Sequence, residues 1–260
     1  MQKKALQKKV KIIANAKVGE AYFCLSLRSP EVARLAEAGQ FVQVRVSDGD
    51  QPLLRRPFGV HRVHGPDFDL LYEVVGPATK ILSQRKSGEY LDIIGPLGNG
   101  FNCQLLTVNR QLFLVAGGMG VATLLFLAEK LKKYSPQVLI GARSKVGILC
   151  EKEFQKLGCS VKIATDDGSQ GFHGKVTDLL LKELSTIDHR PATIYACGPR
   201  PMLKEIARIS RASGVPAAIS LEEHLSCGIG ACLGCVVETK TGFQRVCKDG
   251  PVFDAEEIIW

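Results

Sequence analysis

No run in this chain approaches the ~18 consecutive apolar residues of a membrane-spanning helix, so a helical membrane protein is not expected. The lysine-rich start, Met1 to Lys17, lacks the apolar stretch and cleavage site of a secretory signal. There is no internal repeat and no low-complexity tract, which excludes solenoids and disordered arrays. Histidine is scarce: His61, His64, His173, His189 and His224 never fall at metal-ligand spacing, and all five read as structural or surface residues. No Ser–His–Asp set and no paired carboxylates stand out, so nothing indicates hydrolytic chemistry. The net charge is +8, yet the lysines are spread along the chain without a basic stripe interleaved with aromatics. Nucleic-acid binding is therefore not expected; the charge reads as solvated surface and, in part, as groups facing bound phosphates.

The 260 residues are 45% hydrophobic and 23% charged, the composition of an ordinary soluble globular protein with room for more than one domain. The nine cysteines, with no secretory signal, point to a reducing cytoplasm, where thiols hold metals or pack as buried groups. Cys24, Cys103, Cys150 and Cys159 have no companion at metal spacing and read as packing residues.

Three rhythms follow one another. Alternating runs at 10–17, 21–28, 40–46, 59–64, 69–75 and 90–94, broken by Gly and Pro, predict an antiparallel β-barrel interrupted by one helix at 78–84. Compact apolar runs at 112–116, 137–141, 161–165 and 193–197 then alternate with helical stretches at 121–133, 151–157, 175–183 and 200–212, with one more strand at 217–221. That alternation predicts βαβ units and a parallel sheet. The last segment is too short for a core of its own and needs metal ligation to hold it. The expected fold class is thus a β-barrel plus α/β, divided as 1–107, 108–221 and 222–260.

The last segment carries the most specific pattern: Cys227-Gly-Ile-Gly-Ala-Cys232-Leu-Gly-Cys235, then Cys247. The spacing C-x4-C-x2-C…C is that of plant-type [2Fe–2S] ligation, in which four thiolates hold two sulfide-bridged irons. The small residues Gly228, Gly230, Ala231 and Gly234 would let backbone N–H groups turn toward the sulfurs. A structural zinc site is the alternative, but zinc prefers paired C-x2–4-C knuckles and Cys247 has no near companion; disulfides are a third.

Other motifs are weaker singly. Arg56 before the fixed φ of Pro57 can offer its fork to a pyrophosphate, or the dipeptide is only a turn. Leu71-Tyr72-Glu73 lies in the next expected strand, where an aromatic could stack on a flavin, and Gly76-Pro77-Ala78-Thr79 opens a helix suited to phosphate. Gly95-Pro96-Leu97-Gly98-Asn99-Gly100-Phe101 is either an interdomain turn or a cofactor contact. Ala116-Gly117-Gly118-Met119-Gly120 follows a strand and opens a helix, the context of a nucleotide-binding turn, although Thr123 stands at the third glycine of the dinucleotide fingerprint. Thr165-Asp166-Asp167-Gly168-Ser169 and Cys197-Gly198-Pro199 end parallel strands, where open α/β sheets bind ligands; singly, each reads as a turn, with the aspartates also as a helix cap.

Taken in order, Arg56-Pro57-Phe58, Gly95-Pro96-Leu97-Gly98, Gly117-Gly118-Met119-Gly120 and Cys197-Gly198-Pro199 resemble the ferredoxin-reductase family, whose members join an FAD barrel to a pyridine-nucleotide domain. The cysteine tail and the run Gly250-Pro251-Val252-Phe253-Asp254 are similar to the electron-transfer subunits of dihydroorotate dehydrogenase B, and the likeness covers nearly the whole chain. The resemblance implies a subunit holding FAD and a [2Fe–2S] cluster, paired two-and-two with a catalytic subunit that contains FMN and oxidises dihydroorotate in pyrimidine synthesis, with NAD as the terminal acceptor. By the same resemblance Arg56, Pro57, Phe58, Gly59, Leu71, Tyr72, Glu73, Ala78 and Thr79 would contact FAD. Gly117, Gly118, Gly120, Cys197, Gly198 and Pro199 would line the NAD site, and Cys227, Cys232, Cys235 and Cys247 would bind iron. No residue of this chain is implied as an acid–base catalyst. The chain departs from the family twice: Gly59 stands where Ser or Thr is usual, and Thr123 where proline is common. Two other readings remain. One is a subunit of a related NAD(P)H:ferredoxin or sulfur-reducing oxidoreductase, for which Arg143-Ser144-Lys145 could hold a 2′-phosphate. The other is a zinc-stabilised nucleotide-binding regulatory module.

Overall fold

The computed structural model describes residues 5–103, 110–187 and 191–260; the expected boundary at 107/108 and His189 lie outside them. The first part is a seven-stranded antiparallel sheet: β1 (Leu6–Lys17), β2 (Tyr22–Arg28), β3 (Phe41–Arg45), β4 (Arg56–Gly59), β5 (Arg62–His64), β6 (Asp67–Glu73) and β7 (Tyr90–Leu97), in the order β4-β3-β7-β1-β2-β6-β5. Strands β4 and β5 occupy opposite edges, yet only Val60 and His61 separate them in sequence. In a flat sheet those edges would lie roughly 29 Å apart at the usual strand spacing, far beyond the reach of so short a link, which spans about 10 Å at most. The sheet therefore curls into a barrel. Val60 N donates to Gln40 O at 2.9 Å and His61 N to Asp69 O at 2.9 Å, tying the link to both edges.

Two sequence expectations are corrected here. The run 59–64 is not one strand but the end of β4 and the whole of β5, because the chain changes edges at Val60–His61. The barrel also carries two helices, not one: α2 (Pro77–Ser83) as expected, and α1 (Pro30–Leu35). The Ser29 hydroxyl caps Val32 N, Pro30 opens the first turn and Glu31 meets the helix dipole there. That Ser-Pro-Glu start was legible in the sequence.

The second part contains β8 (Gln111–Gly117), α3 (Val121–Leu131), β9 (Gln137–Ala142), α4 (Glu151–Lys156), β10 (Ser160–Thr165), β11 (Phe172–His173), α5 (Val176–Leu184), β12 (Ala192–Cys197), α6 (Arg200–Ser213) and β13 (Ala217–Ser220). The chain ends with the hairpin β14 (Val236–Thr239) and β15 (Gly242–Arg245), then β16 (Val252–Asp254). The second sheet runs β11-β10-β9-β8-β12-β13-β16; its pairs are parallel except β13 with β16. The cysteine segment thus supplies an antiparallel edge strand to the nucleotide sheet.

Two apolar cores organise the molecule, and alternation along β8 divides them. Leu112, Leu114 and Ala116 join the barrel residues and α3 in one core; Phe113 and Val115 face α5, α6 and the cysteine segment in the other. Helix α3 is wedged between barrel and sheet, with nine of its eleven residues buried, so it is apolar all round rather than amphipathic. Each of its buried leucines contributes about 1.5–3 kcal/mol of apolar transfer. No described helix is long and apolar enough to cross a membrane.

Candidate functional site

Cys227, Cys232 and Cys235 lie on the loop between β13 and β14, and the β14–β15 hairpin returns the chain so that Cys247 meets them. Val246 N donates to Cys235 O at 3.0 Å, fixing that return. Gly230 N reaches Cys247 Sγ at 3.1 Å, Gly234 N reaches Cys232 Sγ at 3.4 Å, and Cys247 N reaches Cys235 Sγ at 3.4 Å. Burial pushes the Cys227 thiol up, but N–H groups of Cys232, Ile229 and Ala231 and the Cys232 side chain outweigh it and bring it down to about 6. Burial and the neighbouring Cys235 push Cys247 up to about 12.

The four thiols act on one another, Cys232 on Cys227 and both Cys235 and Cys227 on Cys247. None of the nine cysteines is in a disulfide. Among the described residues no three His, Cys, Asp or Glu side chains converge on one ion. Four thiols brought to one end of the segment, with backbone N–H groups turned toward three of the sulfurs, match the donor set of two bridged irons. The residues present therefore fit a [2Fe–2S] cluster. Cys235 and Cys247 are buried at 3% and 2% exposure, Cys227 is part-exposed and Cys232 is exposed, so the centre opens toward Cys232.

The thiol loop rests on the barrel. Gln43 of β3 is fully buried; its Nε2 donates to Leu225 O at 3.1 Å, and its Oε1 has no partner. Gly228 adopts φ +72°, and a Cβ there would lie 2.5 Å from Gln43 Cγ, so both conformation and space demand glycine. In register, Gln43 pairs with Pro57 of β4. The thiol loop is thus one side chain away from the strand expected to hold FAD.

On that strand the two arginines differ. Arg55 is engaged: Nη2 meets Asp92 Oδ2 and Nη1 meets Asp92 O, both at 2.8 Å. Arg56 meets only the carbonyls of Leu54 (2.6 Å) and Arg55 (3.4 Å), which leaves its charge for an anion. Pro57, Phe58 and Gly59 are each part-exposed along β4. Tyr72 offers no open stacking face, contrary to the reading of an aromatic laid on a flavin. It is 2% exposed, stacked on Phe23 at 5.7 Å, edge-on to Phe58 at 5.6 Å, and its hydroxyl donates to Asn15 Oδ1 at 3.1 Å. The register of β6 turns its ring into the barrel core; Leu71 is also buried and Glu73 part-exposed. At α2 the Thr79 hydroxyl accepts from Val75 N at 2.9 Å and Gly76 N at 3.2 Å, so Ala78 and Thr79 offer a ligand only their first-turn N–H groups, which no helix satisfies internally.

In the second sheet the chain runs outward from β8 through β9, β10 and β11, then returns to β12 on the other side of β8. The crevice between the ends of β8 and β12 is thus the topological switch point, where such sheets bind ligands. The register places Cys197 beside Ala116, and the following turns touch: a Cβ on Gly120 would collide with Cys197 O, and one on Gly117 would lie 2.8 Å from Pro199 Cδ. Cys197 is fully buried; burial first, then the Glu222 charge, push its thiol up to about 12, while hydrogen bonds from Thr123 and Ser220 pull the other way. A thiol held neutral in this way is expected to resist iodoacetamide at pH 8 in the native chain and react after unfolding, as peptide mapping will read.

Glu222 is a residue that sequence reasoning treated only as a boundary. It is exposed, yet protein packed about its carboxyl raises its pKa, and its charge acts on the Cys197 thiol. Its signal was position, just past the end of a parallel strand. The turn after β7 clamps the cysteine segment: Asn99 N donates to Gly250 O at 2.6 Å and Asn99 Nδ2 to Asp249 O at 2.9 Å. Asp167 caps its own turn through Ser169 N at 3.0 Å; α5 begins well beyond, so it caps no helix. His61 is structural, with Nδ1 on Ala122 O at 2.7 Å, and Trp260 packs under Arg200 of α6, 5.7 Å from ring centre to guanidinium.

Comparison with known proteins agrees with this geometry. Residues 222–259 match the profile of the iron-sulfur cluster binding domain of dihydroorotate dehydrogenase B, and residues 114–208 that of the oxidoreductase NAD-binding domain. The dihydroorotate dehydrogenase B (NAD(+)) electron transfer subunit of Desulforamulus reducens is 41% identical over 258 residues, covering 96% of this chain and 97% of that one. The subunit of the same name from Geobacillus thermodenitrificans is 36% identical over 260 residues, covering 97% and 98%. Among solved structures, an NADH-dependent reduced ferredoxin-NADP oxidoreductase superposes with a TM-score of 0.85 at 32% identity, covering all of this chain and 92% of that one. The ferredoxin reductase of carbazole 1,9a-dioxygenase, at 20% identity and a TM-score of 0.68 over 83% of this chain and 68% of that one, shares the fold. The chain belongs to the family of dihydroorotate dehydrogenase B electron transfer subunits, built on the ferredoxin-reductase fold.

Proposed function

We propose that this chain passes electrons from an FMN-containing dihydroorotate dehydrogenase catalytic subunit to NAD, by way of a [2Fe–2S] cluster on Cys227, Cys232, Cys235 and Cys247 and an FAD on the β4 face of the barrel. The observation that carries this reading is the seat of the thiol loop on Gln43, whose register partner is Pro57. FAD, once bound, exchanges a hydride for single electrons, and the cluster carries those electrons singly.

The residues of the chain bind and align. Arg56 meets the pyrophosphate, the backbone of 57–59 and 71–73 borders the flavin, and Ala78 and Thr79 add N–H donors. The turns Gly117–Gly118–Gly120 and Cys197–Gly198–Pro199 hold NAD at the switch point. Hydride transfer then depends on alignment, which can supply most of the rate, so no acid–base pair is needed on this chain. The division 1–107, 108–221 and 222–260 suits these roles, with β16 lent to the nucleotide sheet. Nine unpaired cysteines support a cytoplasmic protein.

The purified chain is expected to be yellow-brown, with FAD and about two irons, and to bring down an FMN protein, two copies of each by sedimentation; a colourless chain with one zinc overturns the reading. Ile229 and Leu233 stand 52% and 61% exposed beside the open Cys232 and suit a docking face. Leu233→Asp is expected to weaken capture of the partner by at least about tenfold with iron retained. A second reading, service to ferredoxin and NADP, is favoured by the 32% identical structure named above and by Arg143 and Lys145 just beyond β9; turnover with NADPH exceeding that with NADH would select it.

A further inference from the structure

Gly59 and Thr123 lie side by side where the barrel meets the nucleotide domain. Gly59 ends β4, and Thr123 lies in the first turn of α3. A Cβ on Gly59 would stand 2.6 Å from Thr123 Oγ1 and 3.8 Å from Thr123 Cβ, with no other atom within 4 Å outside the neighbouring residues. The Gly59 backbone lies outside the left-handed region, so conformation does not demand glycine there; the Thr123 hydroxyl does.

Thr123 is 9% exposed, and the contacts around it fix the seam between the barrel and α3. His61 Nδ1 lies 2.7 Å from Ala122 O, and Arg62 Nε lies 2.5 Å from Glu129 Oε1. At the same end of α3, Gly120 abuts the Cys197 carbonyl so closely that a Cβ would collide with it, and the Thr123 side chain acts on the buried Cys197 thiol. Thr123 therefore sets the end of the flavin strand against a helix start that itself abuts the turn lining the nucleotide crevice. A buried hydroxyl bridging two rigid elements has one packed position, because neither β4 nor α3 can move without breaking the neighbouring contacts.

We propose that Thr123 is a positioning residue for hydride transfer, its hydroxyl filling the side-chain space of residue 59 and tying the flavin strand to the Cys197 turn, so that residues 59 and 123 act as one unit. The proposal rests on the flavin-to-NAD reading above. It follows that only one of the two positions can carry bulk, and that changing both is milder than changing either.

The test uses full-length chains carrying FAD and cluster: the parent, Gly59→Ser, Thr123→Ala, Thr123→Ser and the double variant Gly59→Ser/Thr123→Ala. Two quantities are measured, the melting temperature and the single-turnover reduction of the flavin by NADH over a range of concentrations. Thr123→Ala is expected to slow the limiting rate about tenfold, the scale of a small misplacement of reacting groups, with the apparent NADH dissociation constant within about twofold. Thr123→Ser restores the rate. Gly59→Ser lowers the melting temperature by about 2–4 °C, the shift typical of a modest clash in a chain of this size. The double variant regains that loss, because the colliding hydroxyl has gone, and regains most of the rate through its new serine. Additive effects of the two changes, or a Thr123→Ala chain reduced at the parent rate, overturn the proposal. If the chains hold FAD that NADH does not reduce, the functional reading fails and takes this role with it. Normal reduction with additive variants sinks only the pairing of 59 and 123.

Discussion

Cys232→Ser is expected to strip the iron and lower dihydroorotate-dependent reduction of NAD by more than about 100-fold, since a two-iron cluster needs all four thiolates. The FAD should stay. Cys232 is exposed, and its sulfur accepts only a 3.4 Å contact from Gly234 N, so its loss leaves no buried void. The rest of the segment is held independently, by β16 against β13, by Asn99 on Asp249 and Gly250, and by Cys235, Val237, Val246 and Cys247 in the second core. Strand β4, proposed to hold FAD, lies on the far side of β3 and shares none of those anchors. Iron assay, flavin absorbance and turnover with the partner check the three parts separately. Flavin lost in proportion to iron would show that the thiol loop and the barrel do not act as distinct modules.

Arg56→Ala is the complementary experiment. A charge-assisted contact to pyrophosphate contributes about 1.5–3 kcal/mol, so the FAD dissociation constant should rise about 10- to 100-fold with iron content unchanged. Arg55→Ala makes the contrast. Arg55 and Asp92 are mutually paired at 2.8 Å with side chains only 18% and 19% exposed, so removing one partner strands a part-buried carboxylate. That variant is expected to lose about 1–3 kcal/mol of stability while keeping FAD once folded. Titration of the flavin-free chain with FAD, followed by fluorescence, distinguishes the two. Weaker FAD binding in the Arg55 variant alone would mean that the wrong arginine was assigned.

Much of the fold is legible in the amino-acid sequence. Period-two alternation located the barrel strands, and the strand–helix rhythm located the parallel sheet, because each pattern reports which faces are buried. What misled was local. The run 59–64 reads as one strand, since period two cannot register that the chain crosses from one barrel edge to the other within Val60–His61. Tyr72 looked like a stacking platform because an aromatic in a strand has two faces to choose from, and only the register of β6 with β2 turns its ring toward Phe23. Helix α1 was overlooked although its Ser29 cap and Pro30 were in plain sight.

The sequence by itself determined the chemistry of the metal centre. Four thiols at fixed spacing, with small residues between them, are a covalent fact that points to two irons ahead of zinc or disulfides however the chain packs. Only the tertiary structure decided which distant groups share a site. It sets Gln43 beneath Gly228, brings the end of β4 against the first turn of α3, and gives Arg55 to Asp92 while Arg56 meets only backbone carbonyls. Those pairings join residues tens to nearly two hundred positions apart, and no local propensity encodes them; they arise because burying two sheets and one apolar helix together leaves a single arrangement in which every hydrogen-bonding edge is answered.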